Sequence, residues 1–268
     1  MKHCRRITAS ILVLFAYLYS IPASATNYQD MWWNPSESGW GVNVLQQSDT
    51  LFATWFVYDA VGGTLWLTMA GTASGNGNIF SGPVYKSTGP VFSGPFNPSL
   101  VTTTPVGSAT FTFTDTTNGI LNYTVNGVAV TKSITRFAFR SLPISGTYYG
   151  ASVGTVSGCS NPVNNRTSAA FATVVVTGDG STININTYAE EYIAGTLVTN
   201  VCTSTGTYSQ AGSVLQASAI TSCSDGTART GFVEEIRVTE DSLAFKSTGQ
   251  VTFGETCRIV GRFGGVRQ

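Results

Sequence analysis

The sequence predicts an exported, all-β protein with two consecutive antiparallel meander domains, each a barrel or barrel-like, the second stapled by disulfides. Three observations lead there. The chain opens on a segment built like a secretory leader. After it, short runs of β-branched and aromatic residues alternate with Gly, Asn, Asp and Ser clusters. All the cysteines beyond the leader stand in the second half of the chain.

The leader comes first. Lys2, Arg5 and Arg6 precede an apolar stretch from Ile7 to Tyr19, and Ala23-Ser24-Ala25 supplies the small-x-small pattern of a signal-peptidase site. The expectation is cleavage after Ala25 and a periplasmic or secreted product. The apolar stretch is shorter than the roughly 20 residues of a spanning helix, so no transmembrane segment is expected in the mature chain. Cleavage leaves 243 residues with 11 basic against 14 acidic side chains, a formal −3. That balance gives no basic face for nucleic acid.

No window after the leader holds a helical period, whereas strand-and-turn punctuation recurs throughout. A Trp-rich first domain, 26–142, reads as strands near 39–47, 50–59, 64–72, 79–86, 107–114, 119–126 and 129–139. Asn126-Gly127 is its strongest hairpin signal, because a type I′ turn needs positive φ at both central residues. Ser87 to Pro105 contains four prolines and reads as a long loop. Leu142-Pro143 marks the junction. The second domain, 143–268, reads as eight strands near 144–153, 168–177, 181–189, 195–209, 212–222, 229–239, 242–252 and 256–263. Short connections between so many strands suit an up-and-down barrel.

Cys159, Cys202, Cys223 and Cys257 make an even set in an exported chain, which favours two disulfides. A turn at Ala211-Gly212 brings Cys202 level with the segment ending at Cys223. The remaining pair, Cys159–Cys257, then joins the domain's first and last strands, which are neighbours in a closed meander. The lone histidine, His3, leaves with the leader. Zinc and any other metal are therefore not expected.

All five tryptophans (Trp32, Trp33, Trp40, Trp55 and Trp66) fall within 35 residues. They either fill a core or line a ligand site. Strand parity puts Leu65, Leu67 and Met69 on one face and Trp66, Thr64 and Thr68 on the other. Trp55 shares a face with Leu51, Ala53 and Val57, and Phe52 and Phe56 opposite it suggest a strand buried on both sides. The candidate ligand contacts are accordingly Trp32, Trp33, Asn34, Glu37, Tyr58 and Trp66. Glu37 has three readings: a loop cap, an ion pair with Arg136, or an acceptor for ligand hydroxyls.

The run Trp33-Asn34-Pro35-Ser36-Glu37-Ser38-Gly39-Trp40-Gly41, with Thr54-Trp55-Phe56-Val57-Tyr58-Asp59 and Leu65-Trp66-Leu67, resembles a module of secreted bacterial proteins of uncharacterised function. The match covers about residues 31–70; it implies bacterial export and brings no activity. A second similarity is to calycins, the lipocalin and avidin-like barrels, which pair an aromatic on the first strand with a basic residue on the last. Gly39-Trp40 with Arg136, and Gly146-Thr147-Tyr148 with Arg258 or Arg262, are the matching positions. This resemblance implies barrel topology alone.

Without mature histidine, Ser-His-Asp and Cys-His catalysis are excluded. No catalytic residue and no cofactor are assigned. Thr177-Gly178-Asp179-Gly180-Ser181 reads as a hairpin turn and not as a phosphate loop. A carboxylate hydrolase would have to use Glu37 with Asp59. The leading expectation is a non-enzymatic binding protein that takes a small amphipathic ligand or a surface glycan on its first domain. The alternative is a structural or protein-interaction module whose tryptophans are core and whose free edge strand recruits a partner.

Overall fold

The computed structural model describes residues 26–193 and 196–268; the expected leader, 1–25, lies outside them. The described chain forms two closed eight-stranded antiparallel barrels. The first contains β1 (Asp30–Trp33), β2 (Gly41–Gln47), β3 (Thr50–Tyr58), β4 (Thr64–Ser74), β5 (Ile79–Thr88), β6 (Thr102–Phe113), β7 (Asn118–Val125) and β8 (Val128–Arg136). The second contains β9 (Gly146–Ser157), β10 (Arg166–Gly178), β11 (Thr182–Ile193), β12 (Thr196–Ala211), β13 (Val214–Cys223), β14 (Ala228–Val238), β15 (Ser242–Thr252) and β16 (Thr256–Arg267). In each, sequential strands pair, and the first strand closes on the last. Closure removes the free edge on which strand-addition recruitment depends, so that mode of partner capture is withdrawn.

The second barrel has the eight strands expected. The first differs in two places. Its opening strand, β1, is only four residues long and lacks a visible period, so the barrel has eight strands where seven were expected. The expected loop 87–105 is shorter, because Ser87–Thr88 pair with Thr103–Thr102 and the unpaired segment is 89–101. Pro105 is tolerated inside β6 because β7 reaches only as far as the Gly107–Val125 pair, leaving Pro105 without a strand on that side. Asn126 and Gly127 adopt φ of 50° and 81°, as the hairpin signal required.

Eight strands enclose a space that side chains can fill. In the first barrel Trp32, Trp55, Phe80, Phe111, Phe113, Leu51, Met69 and Leu121 fill it, all essentially inaccessible to solvent. Tyr28 stacks flat on Phe113 with centroids 3.9 Å apart. In the second barrel Tyr148, Val174, Val176, Leu215, Ile236, Leu243 and Phe263 form the core. Two disulfides supplement it. Cys202–Cys223 spans a directly opposed pair of β12 and β13, and Cys159–Cys257 ties the end of β9 to β16.

The same pin closes both barrels. Arg136, at the end of β8, lies 5.0 Å over the ring of Trp32 on β1. Its guanidinium donates to the carbonyls of Asn27 (2.8 Å), Gln29 (2.9 Å) and Thr116 (2.6 Å) and to Asp30 (3.0 Å). Arg267, at the end of β16, lies 5.1 Å over Tyr148 on β9 and donates to its hydroxyl and to the carbonyls of Pro143 and Ser145. Each aromatic also donates to the carbonyl four residues before it: Trp32 to Tyr28, Tyr148 to Ile144. The pairings expected from sequence are therefore corrected. Trp32 replaces Trp40, which stands beyond the unanticipated β1. Arg267 replaces Arg258 and Arg262, which alternate with buried Cys257 and point outward.

The lower end of the first barrel, where β1 begins and β8 ends, meets the second. The Asp30 carboxylate accepts bonds from the Ser213 amide and hydroxyl, both at 2.8 Å. Arg237 donates to the Asn27 carbonyl, and Gln216 to the Thr116 hydroxyl. Gly212 has φ of 59°, and a β-carbon there would run into Asp30 and Arg136. Glycine serves both the turn and the close approach.

Candidate functional site

The upper end of the first barrel carries the Trp/Gly motif. After β1 the chain turns at Asn34, whose side-chain oxygen accepts from the Ser36 amide (3.0 Å) and hydroxyl (2.7 Å). Its main-chain carbonyl accepts from the Glu37 amide. Glu37 then receives Lys132 through both carboxylate oxygens, at 2.9 and 2.7 Å, and the Trp40 indole N–H at 2.9 Å. The Lys132 bond, helped by Trp40, holds the Glu37 carboxyl below its ordinary range. Tyr58 closes the loop by donating to the Gly39 carbonyl at 2.9 Å.

This geometry places the expected contacts. Asn34, Glu37 and Tyr58 use their polar groups to hold the motif loop over the barrel mouth. The expected Glu37–Arg136 pair does not form, because those residues occupy opposite ends; Lys132 and Asp30 are the real partners. Trp32 is sealed in the core, so its reading as a ligand contact is corrected. Trp33 lies on the outer wall, edge-on to Phe137 at 4.8 Å. Trp66 stands on the outer wall with 66% of its surface exposed. Asp59, the other carboxylate considered for hydrolysis, caps its own turn through bonds from Val61 and Gly63.

The outer wall of β2, β3 and β4 combines exposed aromatic rings with uncharged strands. None of the residues in these three strands is charged. Parity sends Leu51, Ala53, Trp55, Leu67 and Met69 inward and leaves Phe52, Thr54, Phe56, Thr64, Trp66 and Thr68 outward. Register sets Gly41 opposite Phe56 and Phe56 opposite Trp66. Phe56 meets Trp66 in an edge-to-face arrangement, centroids 6.4 Å apart at 75°. Leu45 opposite Phe52 extends the apolar surface toward the lower end.

β3 was expected to be buried on both sides. It is not: a closed barrel has a single layer, so residues that alternate with core positions meet solvent. Phe52 and Phe56 are each more than two-fifths exposed. They are the outward rings that sequence reasoning missed, although the same parity that placed Trp66 would have placed them.

Next to Trp66 the wall opens. β4 and β5 stay paired at Leu67–Lys86, and above that point they leave a groove of about 300 Å³. Trp66 forms one side, and Thr64, Thr68, Ser87, Thr88 and Lys86 supply hydroxyls and one ammonium group. Lys86 makes no ion pair among the described residues. A second hollow of about 270 Å³ lies over β6–β8, but Tyr123 is its only aromatic ring.

Among the described residues, Cys159, Glu255 and Cys257 are grouped at a spacing that could suit a metal. The two sulfurs are bonded to each other, and a metal ligand must be a free thiolate. The Glu255 carboxylate accepts from Ser160, Asn161 and Asn164 and holds the β9–β10 connection. No described helix is long and apolar enough to cross a membrane. No family model matches the chain, and no curated protein matches it.

Proposed function

We propose that this is an exported, non-catalytic binding protein whose first barrel holds a neutral glycan on its outer wall, with Trp66 as the stacking platform. The observation that carries the reading is the combination at Trp66. A largely exposed indole on the uncharged β4 flanks a groove lined by hydroxyls and the one ammonium group of Lys86. A pyranose presents an apolar C–H face and a rim of hydroxyls. Aromatic rings suit the face, and threonine and serine hydroxyls suit the rim. Exposed apolar surface of this kind marks interaction sites on soluble proteins. The groove's volume sits at the lower bound for ligand sites, which fits one or two sugar units.

The filled interior argues against seating the companion ligand of the first domain, a small amphipathic molecule, inside the barrel. Trp32, Trp55 and three phenylalanines take the space such a ligand would need. Export, through cleavage after Ala25, and kinship with the secreted bacterial module belong to the same proposal.

Affinity electrophoresis of the 26–268 protein in gels containing soluble neutral polysaccharides tests it. Retardation by at least one polysaccharide, lost in Trp66→Ala and reduced in Phe56→Ala, is the expected result. Migration unaffected by every polysaccharide, or equal retardation of Trp66→Ala, would overturn it.

A further inference from the structure

The upper end of the first barrel bears a projection whose crown does not line the groove. β5 and β6 stay paired with each other beyond their last pairs to β4 and β7, through the Ser87–Thr103 and Thr88–Thr102 pairs. This paired end is crowned by the 13-residue segment 89–101. Almost every residue from Ser87 to Pro105 is exposed. The crown is apolar at its most exposed points: Phe92 is 92% accessible and Phe96 60%, with Val91 and Leu100 beside them. Meander topology puts the β3–β4 and β7–β8 turns at this same end, where Val61 in the first turn and Val128 just after the second are exposed.

The crown is built, not loose. Pro90, Pro95 and Pro98 restrict its backbone. Asn97 accepts from the Ser99 amide and hydroxyl, and a single helical turn over Pro98–Leu100 follows. Loops this long without a sheet partner are commonly functional, and pre-set geometry lowers the cost of engagement.

We propose that this crown docks the protein on a lipid bilayer surface, with Phe92 and Phe96 entering the boundary between headgroups and acyl chains. Charge is the first argument. No Asp, Glu, Lys or Arg occurs between Lys86 and Asp115, and charged groups are the costly ones at membrane depth. Size is the second. A stable protein pair uses about 20–30 residues a side, whereas the convex crown offers 13 and two turn tips. The third is layering. Tyr58 lies at this end on the barrel wall, and tyrosine favours the headgroup level. Insertion is confined to side chains, so the irregular backbone keeps its water, as an interfacial anchor requires.

Sedimentation of the 26–268 protein with phosphatidylethanolamine–phosphatidylglycerol vesicles tests the assignment. The expected result is co-pelleting that survives 1 M salt and weakens at least tenfold in Phe92→Ser/Phe96→Ser. That variant should keep its unfolding midpoint, since both rings are already in water. In Phe92→Trp, the added tryptophan emission should shift to the blue on vesicles and be quenched by brominated acyl chains. Absence of pelleting, unchanged pelleting of the double variant, or an added emission that brominated lipid leaves untouched would each overturn the proposal. Loss of self-association in the double variant, without vesicle binding in the parent, would assign the crown to a second copy and also overturn it. Glycan retardation should be unchanged in the double variant, which separates this outcome from that of the groove.

Discussion

Replacing Arg136 with methionine tests whether the arginine pin, and not general apolar burial, closes the first barrel. Methionine keeps most of the stem and removes the head. Three main-chain carbonyls then lose a donor, at about 1 kcal/mol net each. Asp30 loses its buried cation, a kind of loss that costs about 3–5 kcal/mol when nothing else compensates. Here the Met31 amide, at 2.9 Å, and the two Ser213 donors remain on that carboxylate, so its share is small. The expected total is about 3–4 kcal/mol, or roughly 1.5–2 M in urea midpoint for a slope of about 2 kcal/mol/M. All five tryptophans lie in the first barrel, so their emission reports that barrel alone. Arg267→Met removes the matching pin at a distant site and should leave the tryptophan transition within about 0.5 kcal/mol of the parent. A loss below about 1 kcal/mol in Arg136→Met would refute the pin.

Trp32→Ala should cost about 3–5 kcal/mol in the same urea assay, whereas Trp66→Ala should stay within about 0.5 kcal/mol; equal losses would mean the faces are misassigned. Serine at Cys202 and Cys223 opens a link spanning 21 residues, an expected loss of roughly 3.4 kcal/mol in the chain-entropy model. Opening Cys159–Cys257, which spans 98, should cost more, about 4.7 kcal/mol; a reversed order in denaturant unfolding would contradict the entropic account. Glu37 has its folded pKa depressed below 4.5, chiefly by Lys132. Its contribution is therefore complete above that pH and is lost as pH falls through the lower folded value. An acid titration of Trp40 emission should change below the ordinary carboxylate range and move up toward it in Lys132→Met. Asp179, drawn from 3.8 down to about 2 mainly by bonds from the Thr182 amide and hydroxyl, should hold the β10–β11 turn in full above 3.8 and lose that hold as pH falls through about 2, where amide exchange at Ser181 and Thr182 should rise.

The meander was legible because its signals are local. Alternation of apolar and polar residues, Asn126-Gly127 and the cysteine spacing each act over a few residues or across one hairpin. β1 was hidden because four residues are too few for a period, and its membership is decided by closure on β8. The loss of β1 propagated: without it, Trp40 took the part that belongs to Trp32, and Glu37 was set near the wrong cation. The outer wall was half legible. Parity placed Trp66, but Phe52 and Phe56 look like core until closure shows that the second face of β3 meets water. The groove was not legible at all, since it arises where β4 and β5 part company above Leu67–Lys86, a matter of strand divergence and not of residue type.

The fold by itself does not require the uncharged wall. Aromatic and β-branched residues favour strands, which accounts for rings on β2–β4 but not for the absence of charge beside them. The second barrel provides the control, because it has the same strand number, closure and arginine pin. Its outward rings Phe171 and Phe232 stand on β10 and β14, which carry Arg166 and Glu234, and Glu190 and Lys246 stand on the adjoining β11 and β15. Charge is thus compatible with this architecture and is the ordinary way to keep such a wall soluble. On the first barrel it is withheld from three adjacent strands, and the largest exposed ring there adjoins the hydroxyl-lined groove. The second barrel's β12 and β13 are uncharged too, yet they expose no aromatic ring, so a surface selected only for solubility would have no reason to gather rings on uncharged strands. A surface that must stack against an uncharged, hydroxylated ligand would.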